Sequence, residues 1–247
     1  MKRIRPLDGP TPGLARYLAH AGANATWERF RRNQDRRHEL YEALTDLQHG
    51  LCGYCEIDLR EDDRQVEHVI ARNQPQEGAA RALDPANLIL CCLGGTKETS
   101  DNRRFLPTTP ASLSCGQAKD NSADPDFIDP RTLPALPSLT RVRYDGRIEA
   151  DRDACEKTGF SVDAVNKTIE ILGLNVGRLR LARRERWRAL DDNWQEHLGD
   201  LEIIEAASRM ELLPQPNGRL LEFFTTSRSY FSPLGENILA ERPADWI

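Results

Sequence analysis

Apolar residues recur at helical intervals in three stretches of the chain. Trp27, Phe30, Leu40, Tyr41, Leu44 and Leu47 predict a helix from about Trp27 to Gln48, with Thr26 as its cap. Gly50 and Gly53 are placed to end it and to open a loop. Val162, Val165, Ile169 and Leu172 predict a second helix, capped by Ser161 and stopped by Gly173. Leu179, Trp187, Leu190, Trp194, Leu198, Leu201 and Ile204 predict a third on one broad face. It runs from about Val176 to Leu213, with Gly199 as a point of interruption and Pro214 as its stop. Leu14 to His20 predicts one or two helical turns in an otherwise loose N-terminal stretch.

Strand signals are shorter. Gln65-Val66-Glu67-His68-Val69-Ile70 has a polar and an apolar face, and Leu88-Ile89-Leu90 is a second apolar run. Leu139–Tyr144 and Arg147–Ala150 flank Asp145-Gly146, which predicts a hairpin. Residues 71–86 and 93–114 read as irregular, and Pro125, Pro130, Pro134 and Pro137 mark a connector. Leu220, Leu221, Phe223, Phe224 and Phe231 supply packing residues near the C-terminus. The chain thus divides into an N-terminal helical segment (1–49), a central unit (50–124), and a connector, hairpin and helical region (125–247). This is an α+β pattern, mostly α.

Of the 247 residues 39% are hydrophobic, enough for a real core. No apolar run is long enough to span a membrane, and the basic start lacks the apolar stretch of a signal peptide. The expected compartment is the cytoplasm. A net charge of −5 argues against indiscriminate polyanion binding but leaves room for local basic patches. One such patch is the run Arg178, Arg180, Arg183, Arg184, Arg186 and Arg188. It reads as a contact to DNA or to an acidic partner groove, or equally as a solvated helix face. Arg103 and Arg104 are a smaller pair of the same kind. Trp187 and Trp194 read as core.

Six cysteines in a cytoplasmic chain point to metal or redox chemistry before disulfides. Cys52-Gly-Tyr-Cys55 offers half of a tetrahedral zinc site, and the other half must come from Cys91 or Cys92 together with Cys115. Cys155 reads as an ordinary buried thiol. Between the cysteines lie Glu67-His68 and Asn87. A neutral histidine suits general-base work near pH 7, and a carboxylate oxygen suits Mg²⁺. Adjacent strand residues point to opposite sides, so on a flat strand the two cannot serve one centre.

With these elements in order, the chain resembles the HNH (ββα-metal) endonucleases. The resemblance rests on Leu51-Cys52-Gly53-Tyr54-Cys55-Glu56, Val66-Glu67-His68, Asn87-Leu88-Ile89-Leu90-Cys91-Cys92 and Cys115-Gly116-Gln117-Ala118-Lys119, over about residues 50–122. It implies a zinc-stapled ββα nuclease core with Cys52, Cys55, Cys92 and Cys115 as the zinc ligands, Cys92 being chosen over Cys91 by its spacing from Asn87. His68 would be the general base, Glu67 a ligand of Mg²⁺ or Mn²⁺, and Asn87 the residue that orients the loop and the histidine. Lys119 would contact phosphate or cap local structure.

The third HNH position is Gly116, which has no side chain. Asp120 or Asn121 would then complete the catalytic metal shell. A proline common in the family after the histidine is also displaced, to Pro75. Trp27-x-x-Phe30, running through to Glu56, narrows the resemblance to the PtuB-type HNH proteins of Septu and retron anti-phage systems. That implies an ABC-type ATPase partner (PtuA-like) and a nucleic-acid substrate, DNA first. The expected products are a 5′-phosphate and a 3′-hydroxyl. The rival readings are a non-catalytic zinc module that docks a partner or DNA, and a toxin-like RNase.

Overall fold

The computed structural model describes residues 1–96 and 112–242. Arg103 and Arg104 lie outside the described residues. Among the latter the chain is α+β and mostly helical, with two separate two-stranded antiparallel pairs.

The N-terminal half carries α1 (Pro12–Ala21), α2 (Trp27–Arg31) and α3 (Gln34–Leu47). The predicted single helix from Trp27 to Gln48 is therefore two. Thr26 caps the first as expected, but Asn33 leaves the helical conformation and accepts from Arg36 N, starting α3 anew. The apolar spacing survives the break, because Phe30, Leu40 and Leu44 are all buried on one side. Each such burial contributes about 1.5–3 kcal/mol.

At the end of α3, Gln48 is fully buried and uses its whole amide. Nε2 donates to the carbonyls of Leu51 (2.9 Å) and Leu90 (2.8 Å), and Oε1 accepts from Leu90 N at 2.7 Å. The helix end is thereby stapled to the cysteine loop and to a strand.

That strand is β2 (Leu88–Cys91), paired antiparallel with β1 (Gln65–His68) so that Glu67 faces Ile89 and His68 faces Leu88. All four residues of β2 are buried. A short helix, α4 (Cys115–Lys119), packs beside the pair. The hairpin β3 (Thr140–Val142) and β4 (Ile148–Ala150) forms where Asp145-Gly146 predicted it, with Gly146 at φ 79°.

Then come α5 (Arg152–Thr158), α6 (Val162–Ile171), α7 (Gly177–Trp194), α8 (Leu201–Leu212), α9 (Phe224–Tyr230) and α10 (Leu234–Ala240). Ser161 caps α6, and Gly173 follows it at φ 56°. A side chain at 173 would meet the Leu113 carbonyl at 2.4 Å, and Cys115 N bonds to Leu172 O at 2.8 Å. The turn after α6 thus presses directly on the α4 loop.

The predicted helix from Val176 to Leu213 divides at a 3₁₀ turn, Gln195–His197. Asp200, whose side chain accepts from Glu202 N and Ile203 N, restarts it as α8. Leu190 and Ile204 are buried as expected, while Leu198 and Leu201 are exposed, because the break turns them off the shared face. Cys155 is buried. The C-terminal region returns to the cysteine loop. Glu56, at φ 64°, accepts from Thr225 N (2.7 Å) and Thr225 Oγ1 (2.6 Å), and Phe223 N donates to Glu56 O at 2.8 Å.

Candidate active site

The cysteine loop is shaped by close approach. Gly53 N donates to Leu90 O at 3.0 Å, and a Cβ at Gly53 would lie 2.5 Å from Ile4 Cδ1. Cys115 enters α4 from a left-handed φ of 57°. These turns bring Cys52, Cys55, Cys92 and Cys115 together, with all four sulfurs within 4.8 Å of one another and buried. The Cys52–Cys115 and Cys55–Cys92 sulfurs are 3.7 Å apart, and the Cys92–Cys115 sulfurs 3.6 Å. Sulfurs held about 2.3 Å from a tetrahedral centre lie about 3.8 Å apart, so the donor set fits zinc.

Burial pushes the Cys115 thiol well above its usual range, and the neighbouring sulfurs do the same for Cys92. Cys52 runs the other way: burial opposes its ionisation, but bonding to Cys115, Cys55 and Cys92 draws it well below. A bound dication favours all four thiolates. Two buried arginines of α7 stand near. Arg178 bonds to Ser114 Oγ, itself 3.4 Å from Cys115 Sγ. Burial pulls Arg183 down to about 10 while Cys55 holds it up.

Cys91 does not join the four. It accepts from Gln65 Nε2 at 3.6 Å on the other face of the strand. Glu67 shares that face. Its Oε1 accepts from Lys119 Nζ at 3.0 Å and from Tyr54 Oη at 3.4 Å. Lys119 Nζ also donates to the His68 carbonyl at 3.3 Å, and the residue is only 2% exposed. Burial raises the Glu67 pKa against the pull of Lys119, and burial lifts Tyr54 further, aided by the Glu67 charge.

Position 116 is filled from outside. A Cβ there would stand 2.6 Å from Glu67 Oε2 and 3.1 Å from Cys91 Sγ. The missing third HNH side chain thus has no room beside this carboxylate. Asp120 and Asn121 sit at the surface, where Asn121 Nδ2 donates to Asp120 Oδ1 at 3.1 Å. Among the described residues the four cysteines are the one group of three or more His, Cys, Asp and Glu positioned for a metal.

His68 projects from the opposite face, as strand alternation demands. Its Nε2 is 3.0 Å from the Ala82 carbonyl, and its ring stands edge-on to Trp27, with centroids 4.7 Å apart at 89°. A carbonyl only accepts, so Nε2 carries the proton and Nδ1 keeps its lone pair. Burial lowers the His68 pKa to about 4, with Arg72 and Lys119 adding to the effect, so the ring is neutral at pH 7. Arg72 itself pairs with Glu28 of α2.

The Ala82 carbonyl is held in place by Asn87, which is fully buried. Its Oδ1 accepts from Ile70 N at 2.8 Å, and its Nδ2 donates to Ile70 O (3.0 Å) and Arg81 O (3.2 Å). Asn87 thus clamps both ends of the 70–81 loop and reaches His68 through it.

The roles of Tyr54, Trp27 and the Ala82 carbonyl had no signal in spacing, although Tyr54 sits within the Cys-x-x-Cys. The arginines of α7 are engaged inside the chain. Arg178 and Arg183 are buried; Arg180 pairs with Asp145 (2.8 Å), Arg184 and Arg188 with Glu185 (3.7 and 3.2 Å), and Arg186 with Glu211. A groove of about 1100 Å³ opens beside α4, between Gln117, β4 and α6, and takes in none of Glu67, His68 and Asn87.

No family model matches the chain. It is similar to the protein named "Retron Ec83 putative HNH endonuclease" of Escherichia coli, with 32% identity over 186 residues, 66% of this chain and 70% of that one. It is also similar to "Retron Vc95 putative HNH endonuclease" of Vibrio cholerae serotype O1 biovar El Tor, with 26% identity over 175 residues, 70% of this chain and 76% of that one. With two curated relatives of one kind aligned across most of its length, the chain belongs to the retron HNH endonuclease family.

Proposed function

We propose that this chain hydrolyses phosphodiester bonds in nucleic acid, DNA before RNA, with β1, β2 and α4 as a ββα-metal unit. The observation that carries the reading is the His68 ring, pinned at Nε2 by a carbonyl and neutral, so that Nδ1 is a fixed base. His68 would take a proton from the attacking water. Asn87 would hold the loop that holds His68, and the four cysteines would hold zinc as a closed structural site.

For the catalytic ion, Glu67 offers one carboxylate; since it leaves β1 on the face opposite His68, the two would reach one phosphate only through a twist or bulge of the strand. Mg²⁺ commonly takes one or two carboxylates and completes its shell with water and substrate phosphate, so the donor set fits such an ion without forming a cage. When bound there, Mg²⁺ or Mn²⁺ supplies positive charge to the phosphate oxygens. Asp120 and Asn121 would join only through a change of position, since both now bond at the surface.

We also propose an ABC-type ATPase partner and a role in retron-linked anti-phage defence. Support comes from the Trp27-x-x-Phe30 resemblance and from the relatives' retron names. A cytoplasmic setting accords with six free thiols. No described helix is long and apolar enough to cross a membrane.

The test is His68→Ala assayed on plasmid DNA and on tRNA side by side with Mg²⁺ or Mn²⁺. We expect cleavage to fall about 10²–10⁴-fold while zinc content is unchanged. Equal cleavage by the variant would remove His68 from the mechanism. A clear preference for tRNA would make the chain an RNase. The rival of a non-catalytic zinc module draws on Gly116, and it predicts no cleavage by the native protein under any of these conditions.

A further inference from the structure

Within the nuclease reading of this site, we infer that the Lys119 ammonium and a divalent cation are alternative occupants of the Glu67 carboxylate. The site therefore takes up its ion together with the substrate phosphate rather than before it.

Three observations carry this. First, Lys119 Nζ stands 3.0 Å from Glu67 Oε1 and 3.3 Å from His68 O, with a side chain only 1% exposed. The ammonium neutralises the Glu67 carboxylate and ties it to the backbone of the general base. Second, the other Glu67 oxygen is pressed against Gly116, 2.6 Å from where a Cβ would be, so no side chain at 116 can share an ion with it in this arrangement. Third, the acidic residue nearest in sequence to Lys119 does not share the carboxylate's place, since Asp120 is at the surface bonded to Asn121.

A dication entering alone would meet a carboxylate that is already paired and an ammonium that repels it. A dication entering with a phosphodiester brings negative charge of its own, which offsets both. Lys119 also has somewhere to go. Its Nζ already lies 5.8 Å from the Phe127 ring centroid, a face that attracts cations, and its stem is four flexible carbons long. Lys119 is a positioning residue in this scheme: it keeps Glu67 aimed and charged until substrate arrives.

The test is a Mn²⁺ titration of the zinc-loaded full chain without nucleic acid, followed by loss of the free-ion signal in electron paramagnetic resonance. We expect Lys119→Met to bind one Mn²⁺ at least tenfold more tightly than the native chain, and Glu67→Gln in that background to abolish the binding. Native protein that binds one Mn²⁺ as tightly as Lys119→Met, through Glu67, would overturn the inference, as would a Lys119→Met variant that gains nothing.

Should Lys119→Met lose its zinc or its fold, the native chain and Glu67→Gln are compared with a cleavage-resistant phosphorothioate oligonucleotide present. Mn²⁺ uptake above that of the oligonucleotide alone, in the native chain only, supports the exchange; equal uptake by both defeats it. Cleavage is measured separately on the same preparations. The expected Mn²⁺ pattern with no cleavage would remove the nuclease reading and leave the lysine–cation exchange standing.

Discussion

Two sites meet at the β1–β2 pair, and they are built on opposite principles. At one, four sulfurs from three separate loops converge to 3.6–3.7 Å spacings at near-zero exposure, and the donor set is complete. At the other, Glu67 is a single carboxylate answered by a lysine, and on the opposite face of β1 His68 is pinned at one nitrogen. A structural metal site gains by being closed, since every ligand it satisfies stabilises the fold. A catalytic site must leave positions open for substrate and water. Under the exchange proposed above, Lys119 would reconcile openness with burial by giving up its place on Glu67. The closed site makes the open one possible: Tyr54, inside the Cys-x-x-Cys, touches Glu67, and Lys119 lies four residues beyond Cys115 on the same short helix.

The largest expected effect lies on the closed side. Cys52→Ser should lose tightly held zinc and, with it, cooperative unfolding. A structural zinc site contributes an apparent ~10–16 kcal/mol, comparable with a whole domain's ~5–15 kcal/mol. Zinc stoichiometry and thermal melting check this. A variant that keeps one zinc per chain and its melting temperature would mean the four thiols are not a zinc clip.

An intermediate effect is expected at the join. Asn87→Ala removes three hydrogen bonds from a fully buried position and leaves Ile70 and Arg81 groups unpaired. A loss of about 2–3 kcal/mol in urea denaturation follows, with zinc retained. A change below about 0.5 kcal/mol would show that the 70–81 loop is ordered by something else.

The smallest effect on stability should come from Gly116→Ala. The gain in helix propensity, about 1 kcal/mol, works against the displacement of a pinned carboxylate, so the net change stays within about 1 kcal/mol. Cleavage should nonetheless fall at least about tenfold, because Glu67 is pushed off its place. Stability and cleavage that both stay at native levels would blur the contrast between the two sites.

Much of the closed site was readable from residue order. Cysteine spacing, strand alternation at Glu67-His68, the Asp145-Gly146 hairpin and the caps at Thr26 and Ser161 are local signals, each set by a few bonds of chain, and the chain obeys them. Local signals also misled. Helical periodicity ran through Asn33 and Asp200 unbroken, because a capping side chain restarts a helix without disturbing its apolar spacing. The choice of Cys92 over Cys91 needed the family pattern, and the structure supplies its reason: the two neighbours point to opposite faces of the chain.

Residue order by itself therefore determined the candidate ligand types, the short strands and the helix starts at Thr26 and Ser161. Only the tertiary structure decided that Lys119 meets Glu67 across 52 residues, that Trp27 abuts His68, and that Gln48 staples α3 to β2. Spacing and periodicity report the few residues on either side of a position. A buried charge, by contrast, is satisfied by whatever the fold brings within about 3 Å of it, however far away that lies in the chain.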